Sequence, residues 1–279
     1  MKILATDLDG TLFYPAKVRT AIPKKNVQFV QKWIDEGNKL LLVSSRSRQF
    51  IDTLQKEINR PFDYLACTGS QIFSDGNLVH EVYLPNKKLK EVLDLIQKEY
   101  KPTGFLITTD SYPCIAKSLK SSGKFVIFLY RIWHKFQFKR QEPSILDNNL
   151  FDKELEKGKI LKAMIFYGFG RSKKKLTKEL NKKFRNDYPE LEFSWTRIIN
   201  EITPYRCNKG FAIEKYCELN HYDKNDVIVV GDSGNDITMF SIFYENSYCM
   251  RKAYTSVRKY AKHTVSKVYH LDDVLKGEK

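Results

Sequence analysis

The chain is poor in cysteine, and its cysteines lack the spacing of a metal-binding or disulfide-linked protein. Only 5 of the 279 residues are cysteine, and no two of them stand in a CxxC pattern. Zinc sites and disulfide frameworks need cysteines at characteristic spacings. Neither is therefore indicated, and we expect largely buried thiols at Cys67, Cys114, Cys207, Cys217 and Cys249.

No apolar stretch reaches the length of a membrane-spanning helix, although 42% of the residues are hydrophobic. No secretory leader is recognisable either, because the first apolar segment begins almost at Met1 and leads directly into acidic residues. We therefore expect a cytoplasmic protein with no membrane partner. The length exceeds that of a usual single domain, so we expect two domains with apolar cores.

Acidic residues are scarce relative to basic ones, with 33 against 48 and a net charge of +15. Such a surplus is compatible with binding to nucleic acid or another polyanion. Its densest part, residues 170–190, has Leu176, Leu180 and Phe184 at helical spacing, which indicates an amphipathic helix with a solvated lysine face. Because no nucleic-acid-binding motif accompanies this helix, we do not expect a nucleic-acid partner. The positive field also suits phosphorylated substrates.

Two carboxylates one residue apart, Asp7 and Asp9 in KILATDLDGTL, come at the end of a short apolar run. The run predicts a buried strand, and open parallel sheets bind ligands beyond the carboxyl ends of their strands. This segment alone could also be an ordinary turn, since Asp and Gly both favour turns.

A second acidic cluster, DVIVVGDSGNDITMF, repeats this arrangement far downstream. A β-branched apolar run is followed there by Asp232, Asn235 and Asp236. Two strands that end in carboxylates would gather hard oxygen ligands, which suit Mg²⁺ together with waters and phosphate oxygens. The two clusters together predict a Mg²⁺ site.

Two further segments carry groups that suit phosphate. NKLLLVSSRS is an apolar run followed by Ser44, Ser45 and Arg46, which could hold phosphate oxygens. Lys209 stands just ahead of a predicted amphipathic helix. Both have ordinary alternatives, because a serine after a strand often caps a helix and a lysine is usually a solvated charge.

Strand-like and helix-like segments alternate at both ends of the chain, which predicts an α/β fold with a doubly wound parallel sheet. We predict helices over residues 24–36 and 50–58, strands over 39–43 and 64–67, and a hairpin turning at Asp75 and Gly76. From residue 85 to 200 the pattern changes to a mixture of helix-like segments and apolar runs, one of them at 124–130. This middle part predicts a smaller, inserted α+β cap with an antiparallel sheet.

The chain resembles the haloacid dehalogenase-like phosphohydrolase superfamily, which has four motifs. Matching segments occur in the expected order: DLDGT, a strand ending at Ser44, Lys209 and GDSGND. The long insert, with CTGSQIF and KILKAMIF, is more specifically similar to the Cof-type subfamily with a type IIB cap. The resemblance implies a Rossmann-like catalytic core formed by residues 1–84 and 201–279, and a specificity cap formed by 85–200. Two segments depart from the family pattern, since CTGSQIF replaces the usual Asn-Gly-Ala and SSRS the commoner Thr-Gly-Arg.

The resemblance also implies roles for individual residues. Asp7 would attack phosphorus and form an aspartyl-phosphate, and Asp9 would act as general acid and base. The implied Mg²⁺ ligands are the carboxylate of Asp7, the backbone carbonyl of Asp9, Asp232 and, directly or through water, Asp236. Ser44 would donate a hydrogen bond to the transferring phosphoryl group, and Lys209 would balance the charge on that group and on Asp7. The residues expected to bind or orient the phosphoryl group are Ser44, Ser45, Arg46, Lys209 and Asn235.

The implied activity is Mg²⁺-dependent hydrolysis of a small phosphorylated metabolite. A hexose or pentose phosphate is the leading substrate class, with pyridoxal phosphate and a flavin-pathway phosphate as alternatives. Two other functions stay open: a phosphotransferase or phosphomutase on the same core, and a non-catalytic protein that binds polyanions. Oligomeric state is left open. Candidates for substrate specificity in the cap are Arg131, Trp133, His134, Lys162, Trp195 and Arg197.

Overall fold

The computed structural model describes residues 1–15, 20–120, 142–196 and 199–277. Several predicted features of the cap lie outside these residues, namely the apolar run 124–130 and the candidates Arg131, Trp133, His134 and Arg197. The described chain divides into one unit of residues 1–80 with 208–279 and a second unit of residues 81–207. The predicted boundaries were 84/85 and 200/201.

The secondary structure alternates as the sequence pattern indicates. The strands are β1 Ile3–Asp7, β2 Lys39–Val43, β3 Asp63–Ala66, β4 Gln71–Ser74, β5 Asn77–Glu81, β6 Gly104–Thr109, β7 Ile115–Ser118, β8 Ile145–Leu146, β9 Ile160–Phe166, β10 Leu191–Thr196, β11 Ile199–Pro204, β12 Val227–Gly231, β13 Ser247–Met250 and β14 His263–Val265. The α-helices are α1 Lys24–Asp35, α2 Arg48–Asp52, α3 Gln55–Ile58, α4 Asn86–Tyr100, α5 Asn148–Lys157, α6 Arg171–Asp187, α7 Lys209–Asn220, α8 Ile237–Ile242, α9 Thr255–Arg258 and α10 Leu271–Leu275.

The described residues of the first unit form an eight-stranded sheet in the order β14-β13-β12-β1-β2-β3-β4-β5. Its strands are parallel from β14 to β3, and β4 runs antiparallel to β3. Strand β1 is buried on both faces, with Leu4 in one apolar cluster and Ile3 and Ala5 in another. Burial on both faces is what a near-continuous apolar run predicts in a parallel sheet. The predicted α/β fold is confirmed.

The register of the central strands brings three chain segments to one edge of this sheet. Asp7, the last residue of β1, pairs with Val43 of β2, and Thr6 pairs with Val230 of β12. The three strands therefore end side by side. Ser44 and Asp232, which follow β2 and β12 directly, leave the sheet beside Asp7.

The predicted hairpin is confirmed, and one predicted helix is wrong in its extent. Asp75 and Gly76 join β4 to β5 with φ of 48° and 78°, the left-handed values that a two-residue hairpin turn needs. The helix predicted over residues 50–58 is instead two short helices, α2 and α3. The Thr53 hydroxyl donates to the Phe50 carbonyl at 2.6 Å, and this side chain competes with the helical backbone for its acceptor.

The described residues of the second unit form a six-stranded sheet in the order β10-β11-β9-β6-β7-β8, antiparallel except between β7 and β8. Apolar side chains of α4, α5 and α6 pack on one face of it, among them Leu89, Phe151 and Phe184. In α6, Leu180 and Phe184 are buried and Leu176 is half-buried, which confirms the amphipathic helix. An antiparallel sheet with helices on one face matches the predicted α+β cap.

Two predictions from composition can be compared with the structure. All five cysteines lie within the described residues, and each of them is buried with no disulfide between any two. Among the residues that the structure describes, no helix combines the length and the apolarity needed to span a bilayer.

Candidate active site

The turn that follows β1 brings two acidic loops into contact. Residues Leu8–Leu12 form a single tight turn, in which Gly10 has a φ of 86°. A Cβ atom on Gly10 would lie 2.3 Å from Oδ2 of Asp232, so only glycine allows this approach. From the same turn, the Thr11 hydroxyl donates to Oδ1 of Asp232 at 3.2 Å. The DLDGT segment thus fixes the position of the acid that follows β12.

Lys209 is a buried cation between two carboxylates. Its Nζ donates to Oδ1 of Asp7 and to Oδ1 of Asp236, both at 2.6 Å, and all three residues are at most 5% exposed. The lysine is the first residue of α7, and its position depends on a close approach of α7 to α8. A Cβ on Gly210 would lie 2.6 Å from the carbonyl carbon of Thr238.

Asp236 uses both of its carboxylate oxygens within the protein. Oδ1 accepts from Lys209, and Oδ2 accepts from the backbone N–H groups of Asp232 and Ser233, both at 2.8 Å. The side chain of Asn235 points into the same turn, where its Oδ1 accepts from the Ser233 hydroxyl at 2.5 Å. Asp236 therefore fixes the loop after β12 as well as the lysine.

The carboxylates of Asp7, Asp232 and Asp236 form the acidic cluster, each offering one oxygen within 4.8 Å of the others. Burial raises the pKa of Asp7 well above its usual value, and neighbouring Asp236 and Asp232 add to this against the opposing charge of Lys209. Burial and Asp236 raise the pKa of Asp232 to about 6. Burial alone would lower the pKa of Lys209, but Asp236 and Asp7 outweigh it and raise that pKa.

The acidic cluster fits a hard cation. Oδ2 of Asp7 is buried and, within the described residues, makes no hydrogen bond. A buried carboxylate oxygen without a donor is costly, and a divalent cation would relieve that cost. All the available ligand atoms are oxygens, which suits Mg²⁺ rather than a softer metal. Asp7 and Asp232 are better placed as ligands than Asp236, whose oxygens already accept hydrogen bonds.

The residues of the SSRS segment differ in their burial and in their hydrogen-bond partners. Ser44 is buried at the end of β2, and its Oγ accepts from the backbone N–H of Arg46 at 3.1 Å, with its own proton still available to donate. Ser45 is half-buried in the same turn. The Arg46 guanidinium donates to the two carboxylate oxygens of Asp9, at 2.6 Å and 2.8 Å. This carboxylate lies outside the acidic cluster.

Two side chains of the site were not predicted from the sequence. Thr11 could have been noticed, because its hydroxyl follows Asp9 at a spacing of two within the motif. Lys252 has no such signal. It comes from the loop after β13, where its Nζ lies 3.8 Å from Oδ2 of Asp232 and 4.0 Å from the centre of the Tyr14 ring.

A family model of haloacid dehalogenase-like hydrolases matches residues 4–276, nearly the whole chain. The chain belongs to this family. The recognition of the superfamily from four short motifs is thereby confirmed, as is the prediction of a phosphatase enzyme.

Individual relatives of this hydrolase match over most of their length. A protein of Mycoplasma capricolum is 26% identical over 97% of this chain and 98% of its own. The 5-amino-6-(5-phospho-D-ribitylamino)uracil phosphatase YwtE of Bacillus subtilis is 22% identical over 87% and 85%. Among solved structures, the subclass IIB sugar phosphatase BT4131 superposes with a TM-score of 0.74 at 17% identity, covering 99% of this chain and 97% of that one. At this identity, the superposition shows a shared fold.

Proposed function

We propose that this hydrolase is a Mg²⁺-dependent phosphatase that cleaves a small phosphorylated metabolite, a sugar phosphate being the leading class, through an aspartyl-phosphate on Asp7. The observation that carries the proposal is the asymmetric environment of the Asp7 carboxylate. One oxygen is held by Lys209 at 2.6 Å, and the other is buried without a hydrogen bond in the described part of the chain. A carboxylate held in this way is oriented to attack phosphorus as a nucleophile, which a purely structural role would not require.

Lys209 and Ser44 supply charge and a hydrogen bond to the transferring phosphoryl group. Lys209 is held by two carboxylates, so its ammonium needs no reorganisation to stabilise charge that develops in the transition state. Ser44 lies beside Asp7 because β1 and β2 end together. Asn235 orients the turn that carries Asp232 and Asp236, through its contact with Ser233.

The ligands of Mg²⁺ would be the carboxylates of Asp7 and Asp232 and the backbone carbonyl of Asp9, with Asp236 acting directly or through water. When bound, the cation would neutralise phosphoryl charge that the protein's own groups leave unbalanced. Phosphoryl transfer depends on positioning and on electrostatic stabilisation more than on unusual functional groups. Aspartate, lysine and serine are therefore sufficient for the protein's part of the reaction.

Asp9 is proposed as the general acid that protonates the leaving alkoxide, and then as the base that activates the water which hydrolyses the aspartyl-phosphate. Its side chain is 53% exposed and lies outside the acidic cluster, so it is accessible to a leaving group or a water.

The proposed substrate is a phosphate monoester of a polyol or sugar. Two comparisons support this class, since one relative is named for a phosphoribitylamino substrate and one structural neighbour is a sugar phosphatase. Both substrates carry phosphate on an aliphatic hydroxyl, whose alkoxide needs protonation as it leaves. The positive net charge of +15 would favour the approach of any such anion.

The test is phosphate release from a panel of hexose phosphates, pentose phosphates and pyridoxal phosphate, with Mg²⁺ and with chelator. The variant Asp9→Asn is compared with wild type, and Asp94→Asn, at an exposed position of α4, is the matched control. We expect Mg²⁺-dependent release that Asp9→Asn abolishes and Asp94→Asn retains. Absence of release from every ester would contradict the proposal. An isomerised sugar phosphate in place of free phosphate would favour a mutase.

A further inference from the structure

Arg46 donates hydrogen bonds to both carboxylate oxygens of Asp9. Nε of Arg46 donates to Oδ2 of Asp9 at 2.6 Å, and Nη2 donates to Oδ1 at 2.8 Å. This is the two-pronged geometry that only a guanidinium can offer a carboxylate. The Nε–Nη2 edge of Arg46 is therefore already occupied by Asp9.

The arginine is the fixed member of this pair. Its side chain is 9% exposed, and its guanidinium carbon lies 4.0 Å from the centre of the Phe50 ring. The backbone of Arg46 is fixed as well, because its N–H donates to Ser44 Oγ and its carbonyl accepts from the N–H of Cys67 at 2.9 Å. Stacking on an aromatic ring and backbone hydrogen bonds leave the guanidinium little freedom to move.

Asp9 is the less constrained member of this pair. It lies in a turn with extended backbone at φ −74° and ψ 111°, and its side chain is 53% exposed. Because the Asp9 end of this ion pair is exposed to solvent, we expect the pair to add little folding stability, and the contact is better explained by the position it imposes on Asp9. Each carboxylate oxygen has two lone pairs, and the arginine uses one on each.

We propose that Arg46 is the positioning residue of Asp9, the residue that sets where the general acid and base stands, rather than a ligand of the substrate phosphate. This proposal rests on the proposed function, because it assigns Arg46 to the same reaction. It replaces the expectation from the sequence that Arg46 binds the phosphoryl group.

Two phosphate esters separate the two roles. An alkyl ester such as a sugar phosphate needs its leaving oxygen protonated, whereas p-nitrophenyl phosphate releases a stable anion that needs little help. The ratio kcat/KM reports the steps up to formation of the aspartyl-phosphate. A residue that positions the acid affects this ratio for the alkyl ester, and a residue that binds phosphate affects both esters alike.

The experiment measures kcat/KM for p-nitrophenyl phosphate and for the sugar phosphate that the wild type hydrolyses fastest, in a double-mutant cycle of Arg46→Met and Asp9→Asn. Methionine keeps aliphatic packing against Phe50 while removing the hydrogen bonds. The matched control is Arg48→Met, since Arg48 pairs with Asp52 at 3.5 Å rather than with Asp9. Arg46→Lys is the second variant, which keeps the positive charge but not the two-pronged contact. It replaces Arg46→Met in the experiment if Arg46→Met does not fold.

We expect Arg46→Met to lower kcat/KM about 10- to 100-fold for the sugar phosphate and less than about threefold for p-nitrophenyl phosphate. In the Asp9→Asn background the same change should alter the residual rate less than about twofold, because the group it positions is gone. Arg46→Lys should resemble Arg46→Met, Arg48→Met should resemble wild type, and inhibition by inorganic phosphate should not weaken.

Equal losses for both esters, weaker inhibition by inorganic phosphate, or a full loss that persists in Asp9→Asn would overturn the positioning role while leaving the phosphatase intact. A wild type that releases no phosphate from either ester, with or without Mg²⁺, would instead contradict the proposed function itself. The two failures are therefore distinguishable.

Discussion

Replacing Gly10 by alanine would put a methyl group where the Asp232 carboxylate now lies. The new Cβ would stand 2.3 Å from Oδ2 and 2.7 Å from both Cγ and Oδ1. Contacts of Cβ below 3.0 Å are essentially never found, so the carboxylate oxygen has to retreat by at least 0.7 Å (3.0 minus 2.3). Alanine also has to adopt the φ of 86° that glycine adopts freely.

These two effects have separate magnitudes. The left-handed backbone costs a residue with a Cβ about 1–2 kcal/mol of stability. A displacement of 0.7 Å is large against Mg²⁺–oxygen distances of about 2.0–2.1 Å, because Mg²⁺ demands near-ideal octahedral geometry. Disturbing residues that only support a metal ligand already lowers affinity about 10- to 100-fold, so we expect at least about a tenfold loss of Mg²⁺ affinity for Gly10→Ala.

The assay combines Mg²⁺ titration calorimetry with urea unfolding of the metal-free protein. Two other glycines separate strain from collision. Gly37 has a φ of 84° with no atom within 4 Å of an added Cβ, so Gly37→Ala reports backbone strain alone. Gly234, in the loop of the acidic cluster, has open space and no left-handed φ, so Gly234→Ala should cost little in either measurement.

We expect both Gly37→Ala and Gly10→Ala to lose stability, and only Gly10→Ala to lose Mg²⁺ affinity. Wild-type Mg²⁺ affinity in Gly10→Ala, at a stability no lower than that of Gly37→Ala, would refute the inference that this glycine sets the position of Asp232.

Further predictions concern the charges of the acidic cluster. Lys209→Met leaves Asp7 and Asp236 without their shared cation, so we expect a loss of about 3 kcal/mol in urea unfolding at pH 7.5 and at least about a 100-fold loss of phosphate release; unchanged stability would contradict the pairing. The raised pKa of Asp232, about 6, means that the metal-free folded state binds a proton more tightly than the unfolded chain, so its contribution to stability falls as pH rises from about 4 to 6. Mg²⁺ must displace that proton, and also the proton of Asp7 wherever that ligand is protonated, so calorimetry should find an affinity that falls as the pH drops below about 6; a flat profile would contradict it. Asp7→Asn replaces a buried carboxylate by a neutral group of the same shape, so we expect release to be abolished and the thermal midpoint of the metal-free protein not to fall.

The strands of the core were predictable because their signal is local. The apolar runs before Asp7 and Asp232 are buried strands, and the order of chain segments is enough to place both acids at one sheet edge. The limit of such local signals appears at Thr53, between α2 and α3, where both the hydroxyl and the backbone N–H of Thr53 donate to the Phe50 carbonyl. The periodicity of apolar residues does not register that competition for a backbone acceptor.

The pairing of side chains within the site was less predictable, because it depends on which distant residues meet. Arg46 follows a strand in a position that suits phosphate, and nothing near it in sequence indicates that it contacts Asp9, 37 residues earlier. Likewise, Lys209 was expected to balance charge on Asp7, but its equally short contact with Asp236 was not predicted. Tertiary packing decides these partners.

The central claim is that Asp7 is phosphorylated during turnover, and the most direct measurement is mass spectrometry of protein quenched in acid while it hydrolyses its fastest substrate with Mg²⁺. We predict one phosphoryl group per chain, located by digestion to the peptide that contains Asp7. It should be absent from Asp7→Asn and absent when Mg²⁺ is chelated. Rapid release of phosphate with no phosphorylated peptide at any quench time, or phosphorylation that persists in Asp7→Asn, would contradict the claim.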